Sequence, residues 1–375
     1  MSQLNVGLST TMIEPIFTQG RLDGIGVYTQ ALQRYLPASG CSVQGFLFPA
    51  LSSPRGQGFS AGRALPYPYE VTAMLDWASP CAMPMDIFHA TDYRIVRMDC
   101  PVIATLHDAV PIKFPQWVTP RLRGLKNWAQ KKAAGKADRV IALSHYAVTE
   151  LVECFGVQPD KISVVYCGVD EHWREPVADD AVAATLAEFG LQPGYFLFVG
   201  TLQPRKNVER ILQAFLGLPT PVRKQHPLVI VGRNGWQCDA LLQQIQAAQQ
   251  QGEPVFWLNQ VKQQTTLRHL YAGAGVFVFP SLYEGFGIPV LEAFAAKVPV
   301  ITANTTSLPE VSQGAALEVD PLSLDEIRTA MQRLVQDESL RQRCIEAGWQ
   351  RVEKLTWQAT AEQTAAVYRA ALAER

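Results

Sequence analysis

Residues 275–310 read GVFVFPSLYEGFGIPVLEAFAAKVPVITANTTSLPE, and the order of apolar run, glycine turn and apolar helix within them decides the fold. The run ending at Phe279-Pro280 is apolar throughout, which predicts a strand covered on both faces and therefore a parallel sheet with helical crossovers. The turn over 281–287 feeds directly into a helix expected over 286–296. Gly285 and Gly287 let the backbone approach a ligand, and the helix start at Phe286 and Ile288 offers unpaired N–H groups at a positive dipole end. That is an anion site of the kind used for phosphates. Glu284 stands beside it, and Glu292 lies on the helix between Leu291 and Ala293. Solvated glutamates are common, but the apolar neighbours of Glu292 argue against casual exposure. Carboxylates next to a phosphate cradle suit sugar or ribose hydroxyls, which donate strong, directional hydrogen bonds to them.

The same strand–helix alternation extends to both sides. Strands are expected at 195–199, 227–231, 255–259, 275–279, 299–302 and 316–319, and helices at 208–216, 239–251, 264–272, 323–336, 339–354 and 357–373. Earlier in the chain, strands are expected at 5–9, 42–48, 86–89, 102–106, 139–143 and 161–166, with helical stretches at 27–36, 121–136 and 145–155. Residues 50–84, rich in Gly, Pro, Ser and Ala, predict a long, partly irregular loop. Residues 170–193 are polar and Ala-rich and read as an interdomain connection. The fold class is α/β, with two Rossmann-like, doubly wound domains at 1–175 and 190–356. Two such sheets facing across a cleft, each binding ligands at the carboxyl ends of its strands, suit the joining of two substrates.

The 375 residues suffice for about two or three domains, and 48% hydrophobic with 18% charged residues excludes wholesale disorder. The 33 Lys and Arg balance 34 Asp and Glu, so no global field draws in nucleic acid. Seven scattered cysteines without C-x-x-C, and six histidines without metal-binding spacing, predict reduced thiols and no metal. The amino terminus has no signal-peptide pattern and no apolar stretch reaches the ~18–20 residues of a spanning helix. A cytoplasmic protein is expected.

PSLYEGFGIPVLEA, with Glu284 and Glu292 as E-x7-E, resembles the retaining family 4 (group 1, mannosyltransferase-like) glycosyltransferases of the GT-B fold, and the similarity runs over nearly the whole chain. The resemblance implies that Glu284 sits near the transferred sugar, that the Gly285, Phe286 and Gly287 backbone holds sugar and phosphate, and that Glu292 binds the ribose. It implies a donor-binding C-terminal domain, an N-terminal acceptor domain, and a helix from Trp357 (357–375) that packs back on the latter. Lys297 stands where the family usually has Gly after this helix.

Within FLFVGTLQPRKN (196–207), a strand ends in Gly200-Thr201 and a short loop brings Arg205 and Lys206 to a helix. A departing diphosphate needs cations, and the chain contains no D-x-D for a metal, so Arg205 and Lys206 are expected to meet that charge. Gly24 and Gly26 lie in DGIGVY just before a helix. The spacing fails as a dinucleotide fingerprint, but it is similar to the family's G-G-I-G-x-Y, whose glycines approach the diphosphate. His107, in TLHD at a strand end, matches the family's T-x-H-D, where the histidine reaches the donor sugar.

These features imply a metal-independent, retaining hexosyltransferase with no cofactor. Its co-substrate would be a nucleotide-diphosphate sugar, GDP-mannose favoured, and its acceptor a glycan or lipid-linked glycan in surface-polysaccharide synthesis. Alternatives are a sucrose- or trehalose-type synthase, a phosphorylase-like relative, a NAD-dependent oxidoreductase, and a sugar-nucleotide-binding scaffold without catalysis. Eight basic residues between Lys113 and Arg139, with Leu122, Leu125 and Trp128 at helical spacing, suggest either peripheral contact with an anionic membrane at its inner face or a solvated helix whose apolar side meets its own core.

Overall fold

The computed structural model describes residues 3–20, 22–49, 58–76, 79–117 and 123–374. Two compact units emerge, Met1–Pro115 with Pro120–Gly168 and Thr356–Arg375, and Gln116–Thr119 with Val169–Leu355.

In the first unit the strands are β1 (Leu4–Ser9), β2 (Cys41–Leu47), β3 (Arg63–Ala64), β4 (Ile87–Ala90), β5 (Val102–Leu106), β6 (Arg139–Ala142) and β7 (Ile162–Val164). They form a seven-stranded sheet in the order β3-β2-β1-β4-β5-β6-β7. Every recorded pairing is parallel. The second unit comprises β8 (Tyr195–Val199), β9 (Leu228–Val231), β10 (Val255–Leu258), β11 (Ala274–Phe279), β12 (Val300–Ala303) and β13 (Leu317–Val319). Its six parallel strands run β10-β9-β8-β11-β12-β13. Strands such as β5 and β11 are buried along their whole length, which is why they lack the alternation of a half-exposed strand. The order reverses beside β1 and beside β8, and such a switch point opens a crevice at the carboxyl ends of the strands.

Three expectations need correction. Residues 50–84 contain a strand, Arg63–Ala64, and a helix, Tyr69–Leu75, so the segment is not simply an irregular loop where it is described. The expected connection at 170–193 contains the helix Asp179–Glu188, which buries Val182 and Leu186, one turn apart, in the second unit. Helix Gly24–Tyr35 begins earlier than expected, because the Asp23 carboxylate accepts from Gly26 N at 2.9 Å and caps its first turn.

Helix Trp357–Ala373 belongs to the first unit. Thr360 Oγ1 donates to the Tyr166 carbonyl at 2.8 Å, and Tyr368 is fully buried with its hydroxyl 2.6 Å from His89 Nδ1. No helix among the described residues is long and apolar enough to cross a membrane.

Candidate active site

A buried cluster of charge in the second unit lies where β8 and β11 end. After β8 the chain makes a one-turn 3-10 helix, Pro204–Lys206, and after β11 it turns through Ser281-Leu282-Tyr283-Glu284. Leu282 N donates to the Arg205 carbonyl at 2.8 Å and joins the two loops. Lys206 Nζ then reaches Glu284 Oε1 at 2.6 Å, and Arg205 Nη1 reaches Glu284 Oε2 at 2.9 Å. Arg205 Nη1 also donates to the Tyr283 carbonyl at 3.2 Å, and the Lys206 ammonium lies 4.8 Å from the centre of the Phe279 ring. Lys206 and Glu284 are buried, at 8% and 6% exposure. Burial pushes the Glu284 carboxyl toward protonation, but Lys206 and Arg205 outweigh it and hold the carboxyl below its usual range. Two cations on one carboxylate leave these three side chains with a net charge of about +1.

The glycine turn sits against this cluster. The helix starts at Ile288, not at Phe286, because Gly287 caps it with φ of 117°. That φ strains any other residue, and a Cβ at Gly287 would also press on the Leu308 side chain, 2.8 Å from its Cδ2. Ser307 Oγ lies 2.9 Å from the carbonyls of both Glu284 and Phe286 and braces the turn from beneath. Gly200 flanks Lys206, whose Cε would lie 3.8 Å from a Cβ there, and Thr201 packs on the loop at Gly235. Further along the helix, Tyr271 donates to Glu292 Oε2 at 3.0 Å. Burial pushes the Glu292 carboxyl up to about 7, against the lowering effect of that hydrogen bond.

In the first unit His107 follows β5, and its Nε2 lies 2.8 Å from the Thr91 carbonyl. A carbonyl only accepts, so Nε2 carries the hydrogen and Nδ1 keeps the lone pair. Burial holds the imidazole below its ordinary range, against the opposing effects of the Thr91 hydrogen bond and Asp108, Asp23 and Asp92. The Tyr28 ring meets the His107 ring edge-on at 5.2 Å, which brings the helix carrying Gly24 and Gly26 beside the histidine. A Cβ at Gly26 would lie 2.9 Å from the Met12 carbonyl, so its bareness serves close packing of the chain on itself, whereas Gly24 faces open space.

The profile of glycosyl transferases group 1 matches residues 187–351, and that of glycosyltransferase family 4 matches 22–173. O-antigen chain mannosyltransferase B of Escherichia coli is 31% identical over 287 residues, covering 76% of this chain and 74% of that protein. The chain belongs to glycosyltransferase family 4. Another relative of this glycosyltransferase, a serotype-specific mannosyltransferase of Escherichia coli, is 30% identical over 68% of this chain but only 32% of its own length. Among solved structures, sucrose-phosphate synthase from Thermosynechococcus elongatus superposes with a TM-score of 0.76, covering 99% of this chain and 100% of that one at 21% identity, a likeness of GT-B fold. Membership sets aside the oxidoreductase alternative.

In this glycosyltransferase Gly200, Thr201, Arg205, Lys206, Glu284, Gly285, Phe286, Gly287, Ile288 and Glu292 lie in the second unit, where Arg205 and Lys206 meet Glu284 directly and Glu292 meets Tyr271, while Gly24, Gly26 and His107 belong to the first. Sequence reasoning missed several supports. Asn207, in the left-handed region at φ of 60°, donates through Nδ2 to the Pro280 carbonyl at 2.9 Å and the Pro321 carbonyl at 2.6 Å, tying the two loops together. It stood next to Lys206 and was readable as a turn residue. Ser307 and Tyr271 carried no such signal. Of the basic stripe, Lys113 pairs with Glu150, Lys136 with Asp76 and Arg139 with Glu374. Lys126, Lys131 and Lys132 are exposed on helix Arg123–Ala134, and Trp128 on the same helix is 59% exposed. Arg121 and Leu122, and the side chains of Arg123 and Leu125, lie outside the description.

Proposed function

We propose that this glycosyltransferase moves a hexose, mannose by preference, from GDP-mannose or a related nucleotide-diphosphate sugar to a glycan or lipid-linked glycan. The transfer serves surface-polysaccharide synthesis and proceeds with retention and without a metal ion. One observation carries the reading: Arg205 and Lys206 converge on Glu284 at the strand ends, beside the Gly287–Ile288 helix start. A diphosphate placed there meets two cations and a helix dipole as negative charge develops on it. The acceptor oxygen attacks the anomeric carbon from the face the phosphate leaves. The carbon–oxygen bond to phosphate breaks, the new glycosidic bond forms, and the acceptor proton passes to the departing phosphate oxygen. Glu284 and the Gly285–Gly287 backbone hold sugar hydroxyls and phosphate, and Glu292 accepts from the ribose. His107, neutral with a lone pair on Nδ1, positions the sugar. Mannose is favoured by the names of the Escherichia coli relatives. Absence of a D-x-D sequence supports metal independence.

Incubation with GDP-mannose, UDP-glucose and ADP-glucose and a panel of oligosaccharides, with and without EDTA, tests this reading. GDP release only from GDP-mannose, an α-linked product and full activity in EDTA are expected. Abolition by chelator, or an inverted product, would overturn it. The protein also works at the inner membrane face through Lys126, Lys131, Lys132 and Trp128, where each lysine near anionic lipid contributes ~1 kcal/mol. Changing the three lysines to Glu is expected to release it from phosphatidylglycerol vesicles in flotation.

A further inference from the structure

Tyr271 stands outside every motif in the sequence, yet it is fully buried beside the helix that carries Glu292. Its ring is fixed by an edge-on contact with Trp173 at 5.3 Å and a tilted one with Phe277 at 5.3 Å. Its hydroxyl lies 3.0 Å from Glu292 Oε2 and 3.4 Å from the Pro289 carbonyl in the first turn of the same helix. Burial, reinforced by the Glu292 carboxylate, keeps the phenol protonated, so it donates. Glu292 Oε1 makes no hydrogen bond to any described residue. One oxygen of the carboxylate is thus occupied and the other is not.

We infer that Tyr271 is a positioning residue of the donor site: its phenol fixes Glu292 Oε2 and leaves Oε1 to accept from a ligand hydroxyl. This rests on the proposal that Glu292 binds the ribose. A carboxylate free to rotate loses conformational entropy when it binds, and a side chain held beforehand does not. The phenol also has an electrical effect, since a hydrogen bond to the charged form favours that form. Among the described residues no cation compensates the burial of Glu292. Just past the end of its helix Lys297 lies over the Trp349 ring at 4.7 Å, and Arg351 of helix Glu338–Lys354 donates to the Val311 and Glu310 carbonyls. Tyr271 alone holds the carboxyl down toward about 7.

The test is calorimetric titration of GDP into the whole protein and into Tyr271→Phe, Glu292→Gln and the double variant, at about pH 6 and about pH 8.5, on either side of the Glu292 midpoint of about 7. Tyr271→Phe is expected to weaken GDP by about fivefold to tenfold at neutral pH, with a larger loss at the lower pH and a smaller one at the higher. The double variant is expected to bind no more weakly than Glu292→Gln. A loss that is independent of pH and adds to that of Glu292→Gln would mark Tyr271 as mere scaffolding. A ligand-free measurement separates this inference from the donor reading: in carbon-13 glutamate NMR the Glu292 midpoint rises in Tyr271→Phe, and an unmoved midpoint would overturn the positioning role. Should that variant fail to fold, 3-fluorotyrosine at 271, a stronger donor, must lower the midpoint instead. Failure of the unaltered protein to bind GDP, UDP or ADP would sink the donor reading, while the ligand-free titration still shows whether Tyr271 holds Glu292.

Discussion

The network behind the Tyr28 ring that packs on His107 in the first unit and the cluster around Glu284 in the second are both buried and polar, but they are built from opposite materials. Behind that ring runs a chain of neutral groups. Tyr28 Oη lies 2.9 Å from Thr105 Oγ1, which lies 2.8 Å from His89 Nε2, whose Nδ1 lies 2.6 Å from Tyr368 Oη. Around Glu284 the same burial is met by full charges, two cations against one carboxylate. A neutral network fixes geometry at low electrostatic risk, because every member is satisfied without an ion. A buried ion cluster stores a field, and it is costly to leave any member unpaired. The difference teaches that the same degree of burial can be met by a field, as in the second unit, or by a hydrogen-bonded shape, as in the first.

Removing the field should have the largest effect. Arg205→Ala or Lys206→Ala is expected to lower kcat by about 10²–10³-fold, as for loss of one preorganised group facing developing charge, with the fold kept by circular dichroism. Near-normal turnover would erase the contrast. Glu284→Gln leaves two cations without their counter-charge and is expected to destabilise the protein by about 3 kcal/mol in urea unfolding, well beyond the ~1 kcal/mol expected when Tyr368→Phe removes a neutral hydrogen bond. Similar costs would show that charge is not what distinguishes the two regions.

Acid titration separates them further. Burial lowers the His89 imidazole to about 3, below its unfolded value of ~6.5, so the unfolded chain binds more protons. The stability that neutral His89 contributes is therefore complete above about pH 6.5 and is lost as pH drops toward 3, by up to about 1.4 kcal/mol per pH unit. Glu284, whose carboxyl is held below its usual range, contributes stability that begins to disappear only below about pH 4.3. Between pH 7 and 5 the lowered His89 draws stability down as pH falls, while Glu292, pushed up to about 7 by burial, acts in the opposite sense; thermal melts of His89→Gln should therefore lose less stability, or gain more, over this range than those of the unaltered protein. The smallest effect sits at the far end of the Glu292 helix. Lys297 adopts φ of 57° just past the helix end, and Lys297→Gly should relieve that strain while losing the Trp349 contact, for a net gain of at most about 0.5 kcal/mol in melting experiments.

Much of this was legible in the sequence, and for physical reasons. Buried parallel strands are apolar on both faces, so β5, β8 and β11 announced themselves, and the glycine turn between β11 and its helix marked the strand end at which Arg205, Lys206 and Glu284 meet. Helix Asp179–Glu188 stayed hidden because only Val182 and Leu186 are buried, too narrow a stripe to show periodicity. Helix Tyr69–Leu75 has seven residues and no side-chain cap. Ser307 braces a turn 23 residues before it and Asn207 binds a carbonyl 114 residues after it, relations that no local pattern encodes. The pairing of Arg205 and Lys206 with Glu284, 79 and 78 positions away, is of the same kind: each side chain was visible, their mutual contact was not.

The return of Trp357–Ala373 to the first unit has a consequence for biogenesis. Val169–Leu355 is an insertion within the first unit, so that unit's core stays open on the ribosome until the whole insertion and the helix after it have emerged. Tyr368 would otherwise cover His89; a stalled or proteolytically shortened chain would present that gap to chaperones and proteases, although its second unit was already closed.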